Sequence, residues 1–319
     1  MTSYSINTYV FKTIHSLKVK ADVFIPNEAS MLSHRPVCLY FHGGGMVVGN
    51  RKSFLPPWLI DSCVSRGWLF VSADYRLAPE TKGVELLSDL SDAWNWVIGG
   101  GLESELVSSG IKVDPKKSFV AGSSAGGYCA YIVSAAASIK PACVINCYGM
   151  YEPLSPTYTQ PHPDDEIIGI GWLDIAEVKE YLQEGRPEIS DLPITGVNIT
   201  GRALLFHALV LNGLWAKYVL GVSDVNNLPP GVDKMVPSLA IQKDFPPIVI
   251  LHGTSDTAVK LEESLRAKEK FDQLGVECSL ILVEGQEHGF DGVVNADPLN
   301  STWSKHLSHI IEFVEKYVL

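Results

Sequence analysis

Short apolar runs alternate along the chain with longer segments of helical periodicity. The runs have the length and composition of buried strands, and they lie at 37–41, 69–73, 118–121, 143–148, 247–251 and 276–283. Segments 84–98 and 261–274 and the carboxyl-terminal stretch carry apolar residues at helical spacing. Residues 6–13 and 16–25 predict an antiparallel opening pair of strands. This alternation predicts an α/β fold with a mostly parallel central sheet and helices on both faces.

The alternation stops between residues 151 and 245. Proline-rich loops and two predicted helices, near 175–182 and 202–220, replace it. We therefore predict a core formed by residues 1–150 and 246–319, with residues 151–245 inserted as a helical cap. An insertion at this point should lie over the carboxyl ends of the strands, where open α/β sheets bind ligands.

The second predicted cap helix is apolar on more than one side, so its extra apolar face needs a second packing partner. We interpret Phe206, His207, Leu211 and Trp215 as candidate substrate-binding residues in an apolar pocket. The alternative is that this helix packs on the rest of the cap or on another subunit in a homodimer. For His207, an ordinary hydrogen-bonded interior histidine is the alternative.

A serine flanked by glycines, Gly122-Ser123-Ser124-Ala125-Gly126, stands between a predicted strand and a predicted helix. A serine at such a turn adopts a strained backbone conformation, and only small neighbours allow the tight approach. Its hydroxyl projects at the helix amino terminus, where unpaired N–H groups favour negative charge. Ser124 is therefore the candidate nucleophile.

A second glycine-rich loop, His42-Gly43-Gly44-Gly45, follows the predicted strand at 37–41. Without side chains, glycines let the backbone approach a ligand oxygen within hydrogen-bonding distance. The N–H groups of Gly43, Gly44 and Ala125 are the candidate oxyanion hole, which stabilises negative charge on a carbonyl oxygen under attack.

With both loops at strand ends, the chain resembles the α/β-hydrolase superfamily, in particular its hormone-sensitive-lipase-like branch of carboxylesterases. The matching segments follow the family's order across most of the chain: 42–45, 74–80, 122–127, and the segments around Asp256 and His288. The sequence departs from the family at Ser123, where many members carry an acidic residue. It also departs in the short stretch before His42, where members usually carry an amino-terminal cap.

The resemblance implies a Ser-Asp-His order along the chain, with the acid after a late strand and the histidine after the last one. Asp256 follows the predicted strand at 247–251, and His288 follows the one at 276–283. His288 would accept the proton of Ser124 and return it to the leaving group. Asp256 would hold the imidazole in the correct tautomer.

Composition and charge limit the partners. The chain has 319 residues, 46% of them hydrophobic, and its formal charge is −11, with 25 basic and 36 acidic side chains. We therefore expect no binding to nucleic acid or to anionic membranes. We expect no membrane insertion and a cytoplasmic location, because long apolar runs and a secretory signal are missing from the sequence. The acidic loop 162–166 is interpreted as a solvated turn, so no metal or cofactor is expected.

These patterns predict a serine hydrolase that cleaves carboxylic esters of small, mainly apolar molecules through an acyl-enzyme. Lactones, thioesters and amides remain alternatives, since one triad serves all acyl transfers. An acyltransferase, dehydratase or cyclase is a further alternative. A non-catalytic small-molecule receptor is another, although an intact Ser124, Asp256 and His288 favours an enzyme.

Overall fold

A single mixed sheet organises the molecule. The computed structural model describes residues 3–27, 32–192 and 201–319. In these ranges the strands are β1 (Tyr4–Ile14), β2 (Leu17–Pro26), β3 (Val37–Phe41), β4 (Leu69–Ala73), β5 (Phe119–Ser123), β6 (Val144–Cys147), β7 (Ile248–Gly253) and β8 (Cys278–Val283). Their order across the sheet is β1-β2-β4-β3-β5-β6-β7-β8. β2 pairs antiparallel with β1 and β4, and the remaining pairs are parallel.

Helices cover both faces of this sheet. The α-helices in the described ranges are α1 (Pro57–Ser65), α2 (Val84–Ile98), α3 (Gly101–Glu105), α4 (Ala125–Ala136), α5 (Pro156–Thr159), α6 (Leu204–Leu211), α7 (Pro237–Ala240), α8 (Leu261–Leu274) and α9 (Ser308–Val318). Helices α2, α4 and α8 share one core with Leu39 of β3, whereas α1 and α9 share another with its neighbour Tyr40. Successive side chains of a strand point to opposite faces, so the sheet separates two cores. The predicted α/β architecture is confirmed.

Five sequence segments each lie at or just after the carboxyl end of a strand that has a parallel neighbour: 42–45, 74–80, 122–127, and the segments around Asp256 and His288. Ser124 follows β5, the glycine triplet follows β3, and Asp256 and His288 follow β7 and β8. Because these ends share one edge of the sheet, residues distant in sequence meet there.

In its described residues, the segment between β6 and β7 holds short helices rather than strands. It contains α5, a 3₁₀-helix at Ile175–Leu182, α6, a π-helical turn at Ala216–Leu220, and α7. The second cap helix, predicted as continuous over 202–220, is interrupted. Gly213 has a φ of 66°, and a side chain there would collide with the backbone of Gln160. The division into core and cap at residues 151 and 245 stays a prediction.

Arg202, two residues before α6 begins, ties this segment to the loops that follow β3 and β4. Its guanidinium pairs with Glu80 at 2.5 and 2.7 Å and donates to the carbonyl oxygens of Val47 and Ala78, each at 2.7 Å. Both charged side chains are almost fully buried. Burial alone would raise the pKa of Glu80, but hydrogen bonds and charge from Arg202 outweigh it and lower that pKa. Glu80 therefore stays ionised beside Arg202.

No helix in the described part of the chain combines the length and the apolar character required to cross a membrane.

Replacing Arg202 by leucine should destabilise the protein by about 3–5 kcal/mol, because it leaves the buried Glu80 carboxylate without its main partner. Urea unfolding followed by circular dichroism measures this loss. Arg186→Leu is the matched control: Arg186 also contacts Glu80, at 3.0 Å, but is 36% exposed. That change should cost less than about 1 kcal/mol. Equal losses in the two variants would show that Arg202 has no special role in holding the segment.

Candidate active site

Ser124 occupies a tight turn between β5 and α4. Its φ and ψ are 57° and −123°, a strained conformation for a residue other than glycine. The turn depends on Gly126, where a side-chain carbon would come within 1.9 Å of the Phe41 carbonyl oxygen of β3. Because α4 and β3 approach this closely, the Ser124 hydroxyl is presented at the strand ends, next to the glycine triplet.

The Ser124, His288 and Asp256 side chains form one chain of hydrogen bonds. Ser124 Oγ lies 2.8 Å from His288 Nε2, and His288 Nδ1 lies 2.7 Å from Asp256 Oδ2. In the tautomer with hydrogen on Nδ1, the imidazole donates to Asp256 and accepts from Ser124. The structure thus brings together the three residues predicted as nucleophile, base and acid.

Asp256 is held in its charged form. It is buried, which by itself disfavours ionisation, but it accepts hydrogen bonds from His252 and His288 and from the N–H groups of Ala258 and Val259. These interactions outweigh desolvation and lower the pKa of Asp256 well below its usual range. A fixed negative charge therefore lies behind His288.

Glu287 links the loop that carries Asp256 to the loop that carries His288. Its carboxylate accepts from the Thr257 N–H at 2.7 Å, the Thr257 hydroxyl at 2.9 Å and the His288 N–H at 2.7 Å. Sequence reasoning missed this residue, although its position next to His288 was the available signal. We infer that Glu287 fixes the separation of the two loops.

The predicted oxyanion-hole residues surround Ser124. A side-chain carbon on Gly43 would lie 3.3 Å from Ser124 Cβ, so the two residues are in close contact. The Gly43 and Gly44 N–H groups donate to no acceptor within the described residues. Ala125 is the first residue of α4, where an N–H has no partner inside the helix. These donors are available to a ligand oxygen.

A cavity of about 440 Å³ opens at Ser124. Its wall combines strand-end loops with the segment between β6 and β7, and it includes Gly43, Gly44, Val48, Phe54, Ser124, Tyr148, Ile168, Phe206, His207, His288, Asp291 and Val293. Most of these side chains are apolar. The cavity is large enough for a small organic ligand.

Of the four predicted substrate-binding residues, the structure places Phe206 and His207 on the cavity wall and Leu211 and Trp215 elsewhere. Trp215 is fully buried, contacts the Tyr128 ring edge to face and the Tyr158 ring at a tilt, and donates its indole N–H to the Gly45 carbonyl oxygen at 3.0 Å. Leu211 is also buried in the core. The pocket assignment for these two residues is corrected: Trp215 holds the segment after α6 against the glycine loop, and Leu211 packs in the core. An all-apolar helix gives no sequence signal for which side faces the cavity.

A second buried carboxylate, Asp291, lies beside the triad. The Tyr148 hydroxyl and the Trp58 indole N–H both donate to it, the latter at 2.8 Å. The Tyr148 ring in turn contacts the His288 ring edge to face, with centroids 4.6 Å apart. Burial raises the pKa of Asp291, and its two hydrogen bonds oppose that shift only in part. Sequence reasoning missed Tyr148 and Asp291, which are 143 residues apart and have no shared motif.

Two other histidines near the site have structural contacts. His42 stacks on Tyr75 and contacts the Gly43 carbonyl oxygen at 2.7 Å, and burial lowers its pKa to about 4. His252 contacts the Ser264 hydroxyl and the Val259 carbonyl oxygen. Both rings therefore have structural contacts within the loops around the triad. Across the ranges that the structure describes, no three His, Cys, Asp or Glu side chains are grouped to hold a metal ion.

Comparison with known proteins supports the fold. Residues 38–192 match a family model described as the alpha/beta hydrolase fold. Together with the sheet order and the Ser124 turn, this match confirms the predicted fold: the chain has the α/β-hydrolase fold.

Solved structures share this fold along nearly the whole chain. A protein of unknown function from Staphylococcus aureus subsp. aureus Mu50 superposes with a TM-score of 0.70 at 18% identity, covering 98% of this chain and 100% of that one. The butyrate-bound thermophilic esterase Est2 of Thermogutta terrifontis gives 0.65 at 22% identity, covering 98% and 95%. At these identities the likeness establishes the fold alone.

Curated relatives are much longer proteins. The non-reducing polyketide synthase pkbA of Emericella nidulans is 28% identical, with 95% of this chain matching 13% of the synthase. The chain thus spans about an eighth of the length of this relative.

The structure contains two buried carboxylates near His288, and only one of them is hydrogen bonded to its ring. We expect Asp256→Asn to slow labelling of Ser124 by a fluorophosphonate by about ten-thousand-fold, because the imidazole would be held in the wrong tautomer. Asp291→Asn should slow it by less than about tenfold, since Asp291 contacts Tyr148 and Trp58 instead.

Labelling rates on both variants, with folding checked by circular dichroism, measure this difference. A loss in Asp291→Asn as large as that in Asp256→Asn would contradict the assignment of the orienting acid.

Proposed function

We propose that this protein is a serine hydrolase that cleaves carboxylic esters of small, mainly apolar molecules through an acyl-enzyme. The observation that carries the proposal is the Ser124–His288–Asp256 chain, with contacts of 2.8 and 2.7 Å, at the wall of an apolar cavity. A serine hydroxyl is a poor nucleophile unless a base accepts its proton, and this arrangement supplies that base.

In the proposed reaction, Ser124 Oγ attacks the ester carbonyl carbon as its proton passes to His288 Nε2. Negative charge then develops on the carbonyl oxygen, where the N–H groups of Gly43, Gly44 and Ala125 would donate to it. His288 returns the proton to the departing alcohol. Water, deprotonated by the same imidazole, attacks the acyl-enzyme and releases the acid.

The cavity favours a compact apolar substrate. The rim residues Phe54, Ile168 and Val293 are exposed although they are apolar, and an exposed apolar rim is typical of a ligand-binding groove. Phe54 and Ile168 also have positive φ values of 53° and 50°. Strained backbone of this kind persists where the surrounding structure enforces it, most often at functional sites.

The intact triad also separates an enzyme from a receptor on the same fold. A binding module has no need for a serine in a strained turn with a histidine on its hydroxyl. Amide and lactone hydrolysis or transfer of the acyl group to an alcohol would use the same residues, and substrate tests must distinguish them.

A thioester is the second candidate substrate. The observation that favours it is the similarity to a region of the non-reducing polyketide synthase pkbA, a protein named for making polyketides. Thioesters are a common activated form of acyl chains, and the same triad cleaves them.

Replacing Ser124 by alanine should abolish fluorophosphonate labelling and lower hydrolysis of para-nitrophenyl butanoate by about a million-fold, because no other group can form the acyl-enzyme. Labelling followed by mass spectrometry and steady-state kinetics measures both effects. Ser134→Ala is the control: Ser134 is buried on the same helix, away from the cavity, and its change should leave both readouts intact. Labelling that persists in the Ser124→Ala protein would identify a different nucleophile and reject the proposal.

Matched substrates decide between an oxygen ester and a thioester. The test compares the butanoyl thioester of N-acetylcysteamine with the butanoyl ester of N-acetylethanolamine. These two substrates differ only in whether sulfur or oxygen joins the acyl group to the leaving group. After each kcat/KM is divided by the rate of hydroxide-catalysed cleavage, we expect the oxygen ester to be preferred. A normalised preference for the thioester would favour the second candidate.

A further inference from the structure

His207 is a buried polar side chain with no partner in the described part of the chain. It lies on α6, is 4% exposed, and forms part of the cavity wall that also carries Ser124 and His288. Neither ring nitrogen has a hydrogen bond. The Ala203 carbonyl group, one turn earlier, lies near the ring and favours its charged form, but outside hydrogen-bonding geometry.

Its surroundings keep this imidazole neutral. Burial lowers the pKa of His207, and the nearby His288 acts in the same direction, while the Ala203 carbonyl group opposes them. A neutral imidazole offers one N–H donor and one acceptor nitrogen. Leaving both without a partner is costly, so such a group in a native protein requires an explanation.

Three other polar side chains on this wall have hydrogen-bond partners and need no such explanation. Ser124 is paired with His288, and Tyr148 donates to Asp291, which also accepts from Trp58. Among the described residues of this wall, His207 is the one with buried polar atoms that have no hydrogen-bond partner, so its hydrogen bonds depend on what enters the cavity. Water would serve in the free protein, and a ligand that displaces it without replacing its hydrogen bonds would bind less well.

The rest of the wall limits the charge of that ligand. Val48, Phe54, Ile168, Phe206 and Val293 offer apolar contacts, and the lining residues that the structure describes include no lysine or arginine. An anionic substituent would find no cation there and would approach the buried carboxyl group of Asp291. The complementary ligand is apolar over most of its surface and carries a neutral oxygen.

We propose that His207 recognises a hydroxyl or ketone oxygen on the substrate, separate from the ester carbonyl at Ser124, so that the natural substrate is a neutral oxygenated ester. A hydroxyl could donate to the unprotonated ring nitrogen or accept from the N–H, and a ketone oxygen would accept from the N–H. This inference rests on the proposed hydrolase function and adds a requirement that a purely apolar ester does not meet.

Two matched ester series test the subsite. In the first, para-nitrophenyl alkanoates carry an oxo group moved one carbon at a time along the acyl chain, beside the unsubstituted alkanoate. In the second, naphthyl acetates carry a hydroxyl group at successive ring positions, beside the parent naphthyl acetate. We expect at least one oxygenated member to exceed its parent in kcat/KM by about tenfold or more, since a lost hydrogen bond at a buried group costs about that factor.

The preference must depend on His207. In His207→Phe the ratio of kcat/KM for the oxygenated ester to kcat/KM for its parent should fall to about one, and in His207→Gln part of the preference should remain because the amide keeps a donor and an acceptor. His309→Phe, at an exposed histidine on α9, is the control and should keep the full preference. A preference that is the same in wild type and His207→Phe, or no preference in either series, would overturn the proposal.

Binding separates failure of this inference from failure of the hydrolase function. Calorimetry on Ser124→Ala, with and without His207→Phe, compares oxo- or hydroxyl-bearing ketone analogues of the esters with their unsubstituted parents. A preference lost with His207 supports the subsite even if no ester is hydrolysed and no fluorophosphonate label is incorporated. Hydrolysis and labelling without any such preference would support the hydrolase and reject the subsite.

Discussion

The closeness of α4 to β3 is the constraint on which the site depends. Gly126 allows contact with the Phe41 carbonyl oxygen at a distance that no side chain permits, and the turn before it holds Ser124 in a strained conformation. The strain is stabilised by the two cores that the sheet separates. As a result the nucleophile, the glycine loop after β3 and the first N–H of α4 lie together without any movement of the chain.

The segment around α6 is held over the same edge of the sheet by hydrogen bonds and an ion pair as well as by apolar packing. Arg202 joins the segment before α6 to Glu80, and Trp215 joins the segment after it to the Gly45 carbonyl oxygen. Between these two anchors, Phe206 and His207 face the cavity. The cavity wall is therefore fixed at both ends, and its chemistry is decided by the residues between the anchors.

Two buried carboxyl groups near the triad have different surroundings, and their pKa values shift in opposite directions. Asp256 receives four hydrogen bonds and stays charged behind His288, whereas burial raises the pKa of Asp291 beside Tyr148. Asp256 orients the His288 imidazole, and Asp291 accepts a hydrogen bond from Tyr148, whose ring packs against that imidazole. Of the six residues other than glycine that have a positive φ in the described ranges, four line the cavity: Phe54, Ser124, Tyr148 and Ile168.

The sequence by itself determined the strand–helix alternation and the turn at Ser124, because apolar periodicity and glycine placement are local properties that survive without tertiary contacts. The candidate acid and base followed from the order that the resemblance to α/β-hydrolases implies. The sequence did not determine the break at Gly213, which follows from the approach of Gln160, or which sides of α6 and the following turn face the cavity, because apolar residues surround them. The Tyr148–Asp291 pair and the lack of a partner for His207 were equally invisible. These features depend on contacts between residues far apart in the chain, and only the folded structure decides which buried polar groups find partners and which are left for a ligand.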